Sequence, residues 1–262
     1  MKQLVVSAIP TPGEVIELTE EQYHYLMRVR RVTEGTEISC IDDSGHRAKT
    51  VVALASSDHG LPVLRVVERY ASGAPGSSAI TAIPVTLYVA FLKGKKLDAV
   101  VRQVTELGVD RIVPVITRHC VSRPDPGDLL RKSCRWEGIV REATQQSGRA
   151  TVPTVEPAAK LEDLTAQVAP ADRPASLSVV FHEAAEDVLS IAQAVNSPGP
   201  PDEIRALVGP EGGLAAAEVD YLSGSGWHIR RMPVPVLRAE TAAVAAAALV
   251  QSLRSEYTAG AS

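Results

Sequence analysis

The chain runs Ile204-Arg205-Ala206-Leu207-Val208-Gly209-Pro210-Glu211-Gly212-Gly213-Leu214 in its C-terminal part, where an apolar stretch meets a glycine-rich turn. The pattern predicts a buried strand over Ile204–Val208 and, beyond the turn, a helix over Ala215–Leu222. Loops that carry chemistry on α/β scaffolds lie at such strand-to-helix junctions. Gly212 and Gly213 permit positive φ angles and let a ligand approach the backbone closely. The stretch therefore predicts an α/β fold with a ligand site at the turn, while a tight turn without a ligand fits the same residues.

Apolar runs alternate with helical patterns on both sides of this stretch. Such alternation predicts a parallel sheet covered by helices on both faces. The further predicted strands are Val85–Phe91, Arg111–Ile116, Leu177–Phe181 and Trp227–Met232, and the further predicted helices are Leu97–Leu107, Asp128–Gln146, Ala184–Val195 and Glu240–Ser255.

A second polar stretch, Leu237-Arg238-Ala239-Glu240-Thr241-Ala242-Ala243, precedes the last predicted helix. Arg238 and Glu240 flank the helix start, and Thr241 is predicted to cap it. An acidic residue matched to the helix dipole is the structural alternative for Glu240. The small residues that follow suit close helix packing, for example at an oligomer interface.

The N-terminal part has a different pattern. Short strand-like runs occupy Glu37–Ile41, Thr50–Leu54 and Pro62–Arg69, and one short helix is predicted over Glu20–Arg28 with Thr19 as its N-cap. A small, flexible, uncharged composition over 71–78 is typical of a linker. We therefore predict a small β-barrel-like domain over residues 1–72, a linker over 73–82 and an α/β domain over 83–262.

The composition is that of an ordinary globular protein, with 45% hydrophobic and 22% charged residues. No apolar run approaches the length of a membrane span, and the first residues lack an export signal, so we expect a cytoplasmic protein with no membrane partner. Three widely spaced cysteines predict neither disulfides nor a metal site. The Gly-x-Gly-x-x-Gly and P-loop patterns of NAD and ATP sites are missing.

The net charge of −4 conceals a local basic block. Residues 93–149 carry 12 Lys and Arg against 7 Asp and Glu, whereas residues 150–262 carry 7 against 14. A local basic block can bind phosphates on an acidic protein, although a solvated charged helix face explains it equally well. Within the block, Lys93-Gly94-Lys95-Lys96 and Glu142-Ala143-Thr144-Gln145-Gln146-Ser147-Gly148-Arg149 are candidate phosphate contacts, with exposed surface residues as the alternative.

These motifs, taken in order, resemble the RsmE family, the small-subunit ribosomal RNA uridine-N3 methyltransferases of the SPOUT superfamily. Thr105-Glu106-Leu107-Gly108-Val109 belongs to the same pattern, and Tyr23–Arg31 is similar to the entry of the family's PUA-like domain. Three positions depart from the family pattern: Gln103 replaces a common Lys, Leu214 replaces a common Phe, and 232–236 carries two prolines.

The resemblance implies an α/β fold: a SPOUT-type methyltransferase domain with a C-terminal trefoil knot, joined to a small N-terminal PUA-like β-barrel that binds RNA. It also implies S-adenosylmethionine as cofactor, a homodimer, and 16S rRNA within the small ribosomal subunit as partner. The alternatives are a related SPOUT methyltransferase acting on a tRNA ribose 2′-hydroxyl, and a non-catalytic RNA-binding assembly factor.

The resemblance also implies which residues form the site. Arg238 is expected to stabilise the uracil anion or hold a phosphate, and Glu240, or else Glu211, to be the general base; a structural role for both carboxylates is the alternative. The expected cofactor-binding residues are Leu207, Val208, Gly209, Pro210, Glu211, Gly212, Gly213, Met232, Val234, Val236, Leu237, Arg238, Ala239 and Thr241. The expected RNA contacts are Arg28, Arg30, Arg31, Lys93, Lys95, Lys96, Gln146 and Arg149.

Overall fold

The computed structural model describes residues 3–54, 62–70, 83–121, 124–168, 176–190 and 200–259. The chain divides into two compact units. The first unit contains Met1–Ile80 and Arg141–Val152, and the second contains Thr81–Val140 and Pro153–Ser262. The predicted linker over 73–82 lies outside the described residues. The sequence-based boundaries had placed the segment Arg141–Val152 in the second domain.

The first unit is built on a five-stranded sheet in the order β1-β3-β4-β5-β2. Only the β1–β3 pair is parallel, and the other pairs are antiparallel. Apolar side chains such as Leu4, Leu26, Ile38 and Leu64 form its core. The strands are β1 Leu4–Val6, β2 Val15–Ile16, β3 Glu37–Asp42, β4 Arg47–Leu54 and β5 Pro62–Tyr70, so the three predicted strands are confirmed.

The predicted N-terminal helix is confirmed, but its second half has a different hydrogen-bonding pattern. Helix α1, Glu20–Tyr23, begins at a capping box in which Thr19 and Gln22 satisfy each other's backbone N–H groups. A π-helical turn, His24–Val29, continues it. It is followed by Arg31, whose φ of 52° lies in the left-handed region that non-glycine residues rarely adopt.

The second unit contains a seven-stranded sheet in the order β12-β10-β11-β6-β7-β8, with β9 also paired to β7. Every pair is parallel, as predicted. The strands are β6 Val85–Ala90, β7 Arg111–Ile116, β8 Thr154–Val155, β9 Ala159–Lys160, β10 Ser176–Phe181, β11 Glu203–Val208 and β12 His228–Arg230. The carboxyl ends of these strands meet at one edge, where ligands bind in open α/β sheets.

The helices of the second unit are α2 Lys96–Glu106, α3 Pro126–Ser147, α4 Leu161–Val168, α5 Ala216–Gly224 and α6 Ala239–Ala259. The last residues of α3 belong to the first unit by the division above. Three of the small residues of α6 pack within the chain: the helix contacts α2, β6 and β11, and Ala243, Ala246 and Ala247 are fully buried, whereas Ala242 and Ala245 are half-buried and Ala248 is exposed. The expected oligomer interface on this helix stays a prediction.

One predicted helix is wrong in its described part. Residues 184–190 of the predicted helix Ala184–Val195 are not helical: the chain turns at 184 and bends at 186–187, and Val188 forms an isolated parallel bridge with Arg231 beside β12. Residues 191–195 lie outside the described residues. The trefoil knot stays a prediction. Within the described ranges, none of the helices is long and apolar enough to cross a membrane.

Candidate active site

The glycine turn 209–213 follows β11 directly and is closely packed. Its backbone is closed by a hydrogen bond from the N–H of Gly213 to the carbonyl of Pro210, at 2.9 Å. Gly213 has a φ of +69°, which requires glycine. A Cβ atom on Gly209 would lie 3.1 Å from Cγ of Leu214, and one on Gly212 would lie 3.2 Å from Cβ of His119. The turn therefore needs glycine for two reasons, backbone conformation and space.

A cavity of about 360 Å³ lies between this turn, the residues after β10 and the start of α6. It is lined by Phe181, His182, Glu183, Val208, Gly209, Pro210, Glu211, Gly213, Leu214, Val236, Leu237, Arg238, Ala239 and Ala242. Nine of the expected cofactor-binding residues are in that set. The structure thus brings together the two polar stretches that the sequence singled out.

The other five expected cofactor-binding residues do not line the cavity. Leu207 is fully buried inside β11, and Met232 is also buried. Val234 is exposed on the segment before α6, and Gly212 faces His119. Thr241 is exposed in the first turn of α6.

The start of α6 differs from the predicted one. The helix begins at Ala239, and the carbonyl of Arg238 already accepts the N–H of Ala242 at 2.8 Å. Thr241 is therefore two residues inside the helix, and the prediction that it caps the helix is wrong. Arg238 occupies the position before the helix, is exposed, and lines the cavity.

Lys96 lies between the two polar stretches. Its Nζ is 2.9 Å from Oε1 of Glu211 and 3.2 Å from Oε2 of Glu240. These two carboxylates, Glu211 first, raise the pKa of Lys96. The ammonium expected to contact RNA therefore joins the glycine turn to the start of α6.

Glu240 is held in its ionised form. Its carboxylate accepts a hydrogen bond from its own backbone N–H and lies beside Lys96 and Arg238, and these contacts lower its pKa although partial burial opposes them. A carboxylate with a lowered pKa is a weaker base than an ordinary one. The environment of Glu240 thus favours a structural role over proton abstraction.

Sequence reasoning missed His119, which follows β7. Its Nδ1 lies 3.2 Å from the carbonyl oxygens of both Gly212 and Gly213, so a protonated Nδ1 donates to the glycine turn. Glu218, in the first turn of α5, also holds the loop after β7. Its carboxylate accepts the N–H of Arg118 from that loop at 2.7 Å and the N–H of Ala215, just before α5, at 2.8 Å. Polar residues directly after a predicted strand were the available signal.

The expected RNA contacts are distributed over the two units. Lys93 and Lys95 are exposed after β6 in the second unit. Lys96, described above, belongs to the same unit, and the remaining five belong to the first unit: Arg28, Arg30, Arg31 and Gln146 are exposed, and Arg149 is partly buried. Among the residues that the structure describes, no cluster of His, Cys, Asp and Glu is suited to a metal ion.

Comparisons with known proteins give a consistent result. The RNA methyltransferase domain family matches residues 80–251, and the RNA methyltransferase PUA domain family matches residues 18–60. Ribosomal RNA small subunit methyltransferase E of Mycobacterium tuberculosis is 30% identical over 258 residues, covering 98% of this chain and 94% of that protein. The protein of that name from Bacillus subtilis is 28% identical over 229 residues, covering 86% and 85%.

A solved structure has the same fold. It is that of ribosomal RNA small subunit methyltransferase E from Neisseria gonorrhoeae bound to S-adenosyl methionine, with a TM-score of 0.79 and 24% identity. The match covers 97% of this chain and 98% of that one.

Proposed function

The chain belongs to the family of ribosomal RNA small subunit methyltransferase E, as its motifs predicted, and from this we propose that it methylates N3 of one uridine of 16S rRNA with S-adenosylmethionine. The observation that carries the proposal is the cavity shared by the glycine turn and the start of α6, with Arg238 on its lining.

The residues of this cavity fit S-adenosylmethionine. A volume of about 360 Å³ lies in the usual range for small-molecule sites, roughly 300–1,000 Å³. Val208, Leu214 and Val236 give an apolar surface for adenine, and the glycine turn exposes backbone groups for hydrogen bonds. The carboxylates of Glu183 and Glu211 line the same cavity and complement a positively charged ligand.

The cofactor supplies an activated methyl group, so the residues of the chain have to make uracil N3 nucleophilic and align it. N3 carries a proton at neutral pH, and its anion spreads negative charge onto the neighbouring oxygens. We assign the stabilisation of that charge to the exposed guanidinium of Arg238. Alignment of N3 with the methyl group then contributes a large part of the rate.

We assign Glu240 and Glu211 to positioning rather than to proton abstraction. Both carboxylates contact Lys96, and the lowered pKa of Glu240 makes it a weak base. Lys96 thus holds the two cofactor loops together instead of contacting RNA. The N3 proton leaves to solvent in this scheme.

The remaining expected residues are proposed to bind RNA: Arg28, Arg30, Arg31, Lys93, Lys95, Gln146 and Arg149. We further propose, on the resemblance, a cytoplasmic homodimer that acts on the small ribosomal subunit. Light scattering of the purified chain tests the dimer, since the monomer mass is 27.8 kDa.

The decisive experiment compares rRNA from a deletion strain with and without a complementing gene. We expect N3-methyluridine to disappear from one 16S position and to return with the wild-type gene. The Arg238→Ala gene should fail to restore it, while calorimetry shows S-adenosylmethionine binding within a few-fold of wild type. Methylation that is unchanged in the deletion strain would defeat the proposal, and an altered tRNA modification would favour the tRNA alternative.

A further inference from the structure

The loop after β7 contacts the glycine turn through a side chain to which the proposed function gives no role. Nδ1 of His119 lies 3.2 Å from the carbonyl oxygens of both Gly212 and Gly213. The two segments are closely packed there, since a Cβ on Gly212 would lie 3.2 Å from Cβ of His119. Carbonyl oxygens only accept hydrogen bonds, so the imidazole carries a proton on Nδ1 in this arrangement.

The loop that presents the imidazole is itself held in place. The N–H of Cys120 donates to the carbonyl of Thr117 at 3.2 Å, and the N–H of Thr117 lies 3.4 Å from Sγ of Cys120. Both residues are buried. Between them, the N–H of Arg118 donates to the carboxylate of Glu218. These bonds fix the backbone on both sides of His119, so the position of its ring is determined by the fold.

The glycine turn contains one N–H group that is left for a ligand. The N–H of Gly213 donates to the carbonyl of Pro210 at 2.9 Å, and the N–H of Ala215 donates to Glu218 at 2.8 Å. Within the part of the chain that the structure describes, the N–H of Leu214 donates to no acceptor, although Leu214 is only 7% exposed. Buried N–H groups of proteins almost always have an acceptor, so this donor is suited to a bound molecule.

The contact with His119 determines the direction of that N–H. The carbonyl of Gly213 and the N–H of Leu214 belong to one planar trans peptide, so they point in opposite directions. Because the carbonyl points to His119, the N–H points away from it, to the side of Gly209. The Leu214 nitrogen lies 3.5 Å from the position that a Cβ on Gly209 would take, and Gly209 and Leu214 both line the cofactor cavity.

We propose that His119 is a positioning residue of the cofactor site. Its Nδ1–H group fixes the peptide between Gly213 and Leu214, so that the N–H of Leu214 donates to an acceptor atom of S-adenosylmethionine. The inference rests on the proposed function, which assigns this cofactor to the cavity. Without the imidazole donor the peptide can rotate about the permissive backbone of Gly213, and a carbonyl oxygen would then face a ligand atom that needs a donor.

Three variants of the full chain separate a donor at the Nδ1 position from the bulk of the side chain. In His119→Asn, the amide nitrogen can take the position of Nδ1. The longer side chain of His119→Gln puts its amide group near the position of Nε2 instead, and His119→Leu keeps the bulk without any donor. The control is His228→Leu, which removes an exposed imidazole from β12 of the same unit.

Calorimetry with S-adenosylmethionine alone measures the effect on cofactor affinity. We expect His119→Leu and His119→Gln to raise the Kd on the order of tenfold, which corresponds to the loss of one hydrogen bond. His119→Asn and His228→Leu should stay within about twofold of wild type, because the first retains the donor and the second does not contact the turn.

Nuclear magnetic resonance reports on the proposed hydrogen bond itself. In protein whose leucine nitrogens carry the magnetically active isotope, the amide signal of Leu214 is identified by its loss in Leu214→Ile. We expect saturating S-adenosylmethionine to move this amide proton signal downfield in wild type and in His119→Asn, as a new hydrogen bond does. In His119→Leu the same addition should leave the signal nearly in place.

Three outcomes overturn the proposal. The first is a Leu214 signal that the cofactor does not move in wild type, and the second is cofactor binding by His119→Leu as tight as that of wild type. The third is an equal loss of affinity in His119→Asn and His119→Leu, which would mean that the turn needs only the packing of the ring.

Failure of the proposed function looks different from failure of this inference. A wild type that does not bind S-adenosylmethionine contradicts both. A wild type that binds the cofactor but methylates another RNA contradicts only the proposed rRNA substrate, and the variants of His119 then still test its role, because neither calorimetry nor the amide signal requires RNA.

Discussion

Lys96 connects three segments that are distant in the sequence: the start of α2, the glycine turn and the start of α6. It stands at the start of α2, and its ammonium contacts Glu211 from the glycine turn and Glu240 from α6. Without it, two carboxylates would remain near each other with no intervening cation, and their repulsion would separate the two cofactor loops.

We therefore expect Lys96→Met to weaken S-adenosylmethionine binding on the order of tenfold and to lower kcat by up to about 10²-fold, because small displacements of reacting groups are costly. Calorimetry and single-turnover methylation measure the two effects. Lys95→Met, at the exposed neighbouring position, is the matched control for cofactor affinity. Equal losses of cofactor affinity in both variants would show that local positive charge, and not the bridge, is what matters.

Glu240 provides a pH test of the mechanism at the same scale. Its folded pKa is lowered, so it stays ionised, and any stability it contributes is present above its unfolded pKa, about 4.3, and lost as pH falls through the folded value. Between pH 6 and 9 it does not titrate. The rise of methyl transfer with pH should therefore reflect ionisation of uracil N3.

We expect Glu240→Gln to lower the rate uniformly between about pH 6 and 9 without changing the shape of the pH profile. Rates under saturating cofactor and RNA measure this. If the methylation rate of the wild type shows a pH dependence that is absent from Glu240→Gln, Glu240 is instead identified as the general base.

At the scale of elements, the glycine turn is a connection whose backbone conformation is itself functional. Gly213 has positive φ, and a Cβ there would lie 3.3 Å from Oε1 of Glu183, which lines the cofactor cavity.

Gly213→Ala strains the turn and crowds the cavity, so we expect cofactor affinity to fall at least tenfold. Gly224→Ala, at the end of α5 with open space around its Cβ position, is the control and should bind normally. Normal binding by Gly213→Ala would remove the turn from the cofactor site.

The sequence predicted elements well where a pattern is long enough to repeat. Strand Arg111–Ile116 was predicted with its observed bounds, and α2 differs from its prediction by one residue at each end. Strands β8 and β9 have two residues each and were missed, because two residues are too few to show the alternation of apolar and polar side chains that predicts a strand. The π-helical turn was missed because a side-chain pattern of that length does not separate i→i+5 from i→i+4 bonding.

The site was predictable only in part, for a related reason. The glycine turn and Arg238 carry local signals, and both line the observed cavity. Phe181 and His182 line the cavity because β10 lies beside β11 in the sheet. The sequence pattern of one strand does not predict which strand it pairs with. His119 and Lys96 contact the turn across the sequence, so their roles emerge only when the sheet is assembled.

At the scale of the whole molecule, the chain has to bind RNA with a net charge of −4. Attraction to phosphates must then come from local groups of cations. In the first unit, Arg28, Arg30 and Arg31 form such a group on and directly after the π-helical turn, and all three are exposed. The positive φ of Arg31 is a conformation that is retained at a cost, which is common where a residue serves a binding site.

If each of these arginines neutralises one phosphate, the triple change to Gln should reduce the slope of log K against log salt by roughly 2 to 3, since each contact contributes roughly 0.7–0.9. Filter binding of 16S rRNA between about 50 and 200 mM salt measures the slope, and calorimetry should show unchanged cofactor affinity. Arg65→Gln with Arg69→Gln, two exposed positions on β5, is the control for the unit's general charge. A control slope reduced by the same amount per charge would mean that RNA responds to the field of the whole unit. An unchanged slope in the triple variant would place RNA binding elsewhere on the molecule.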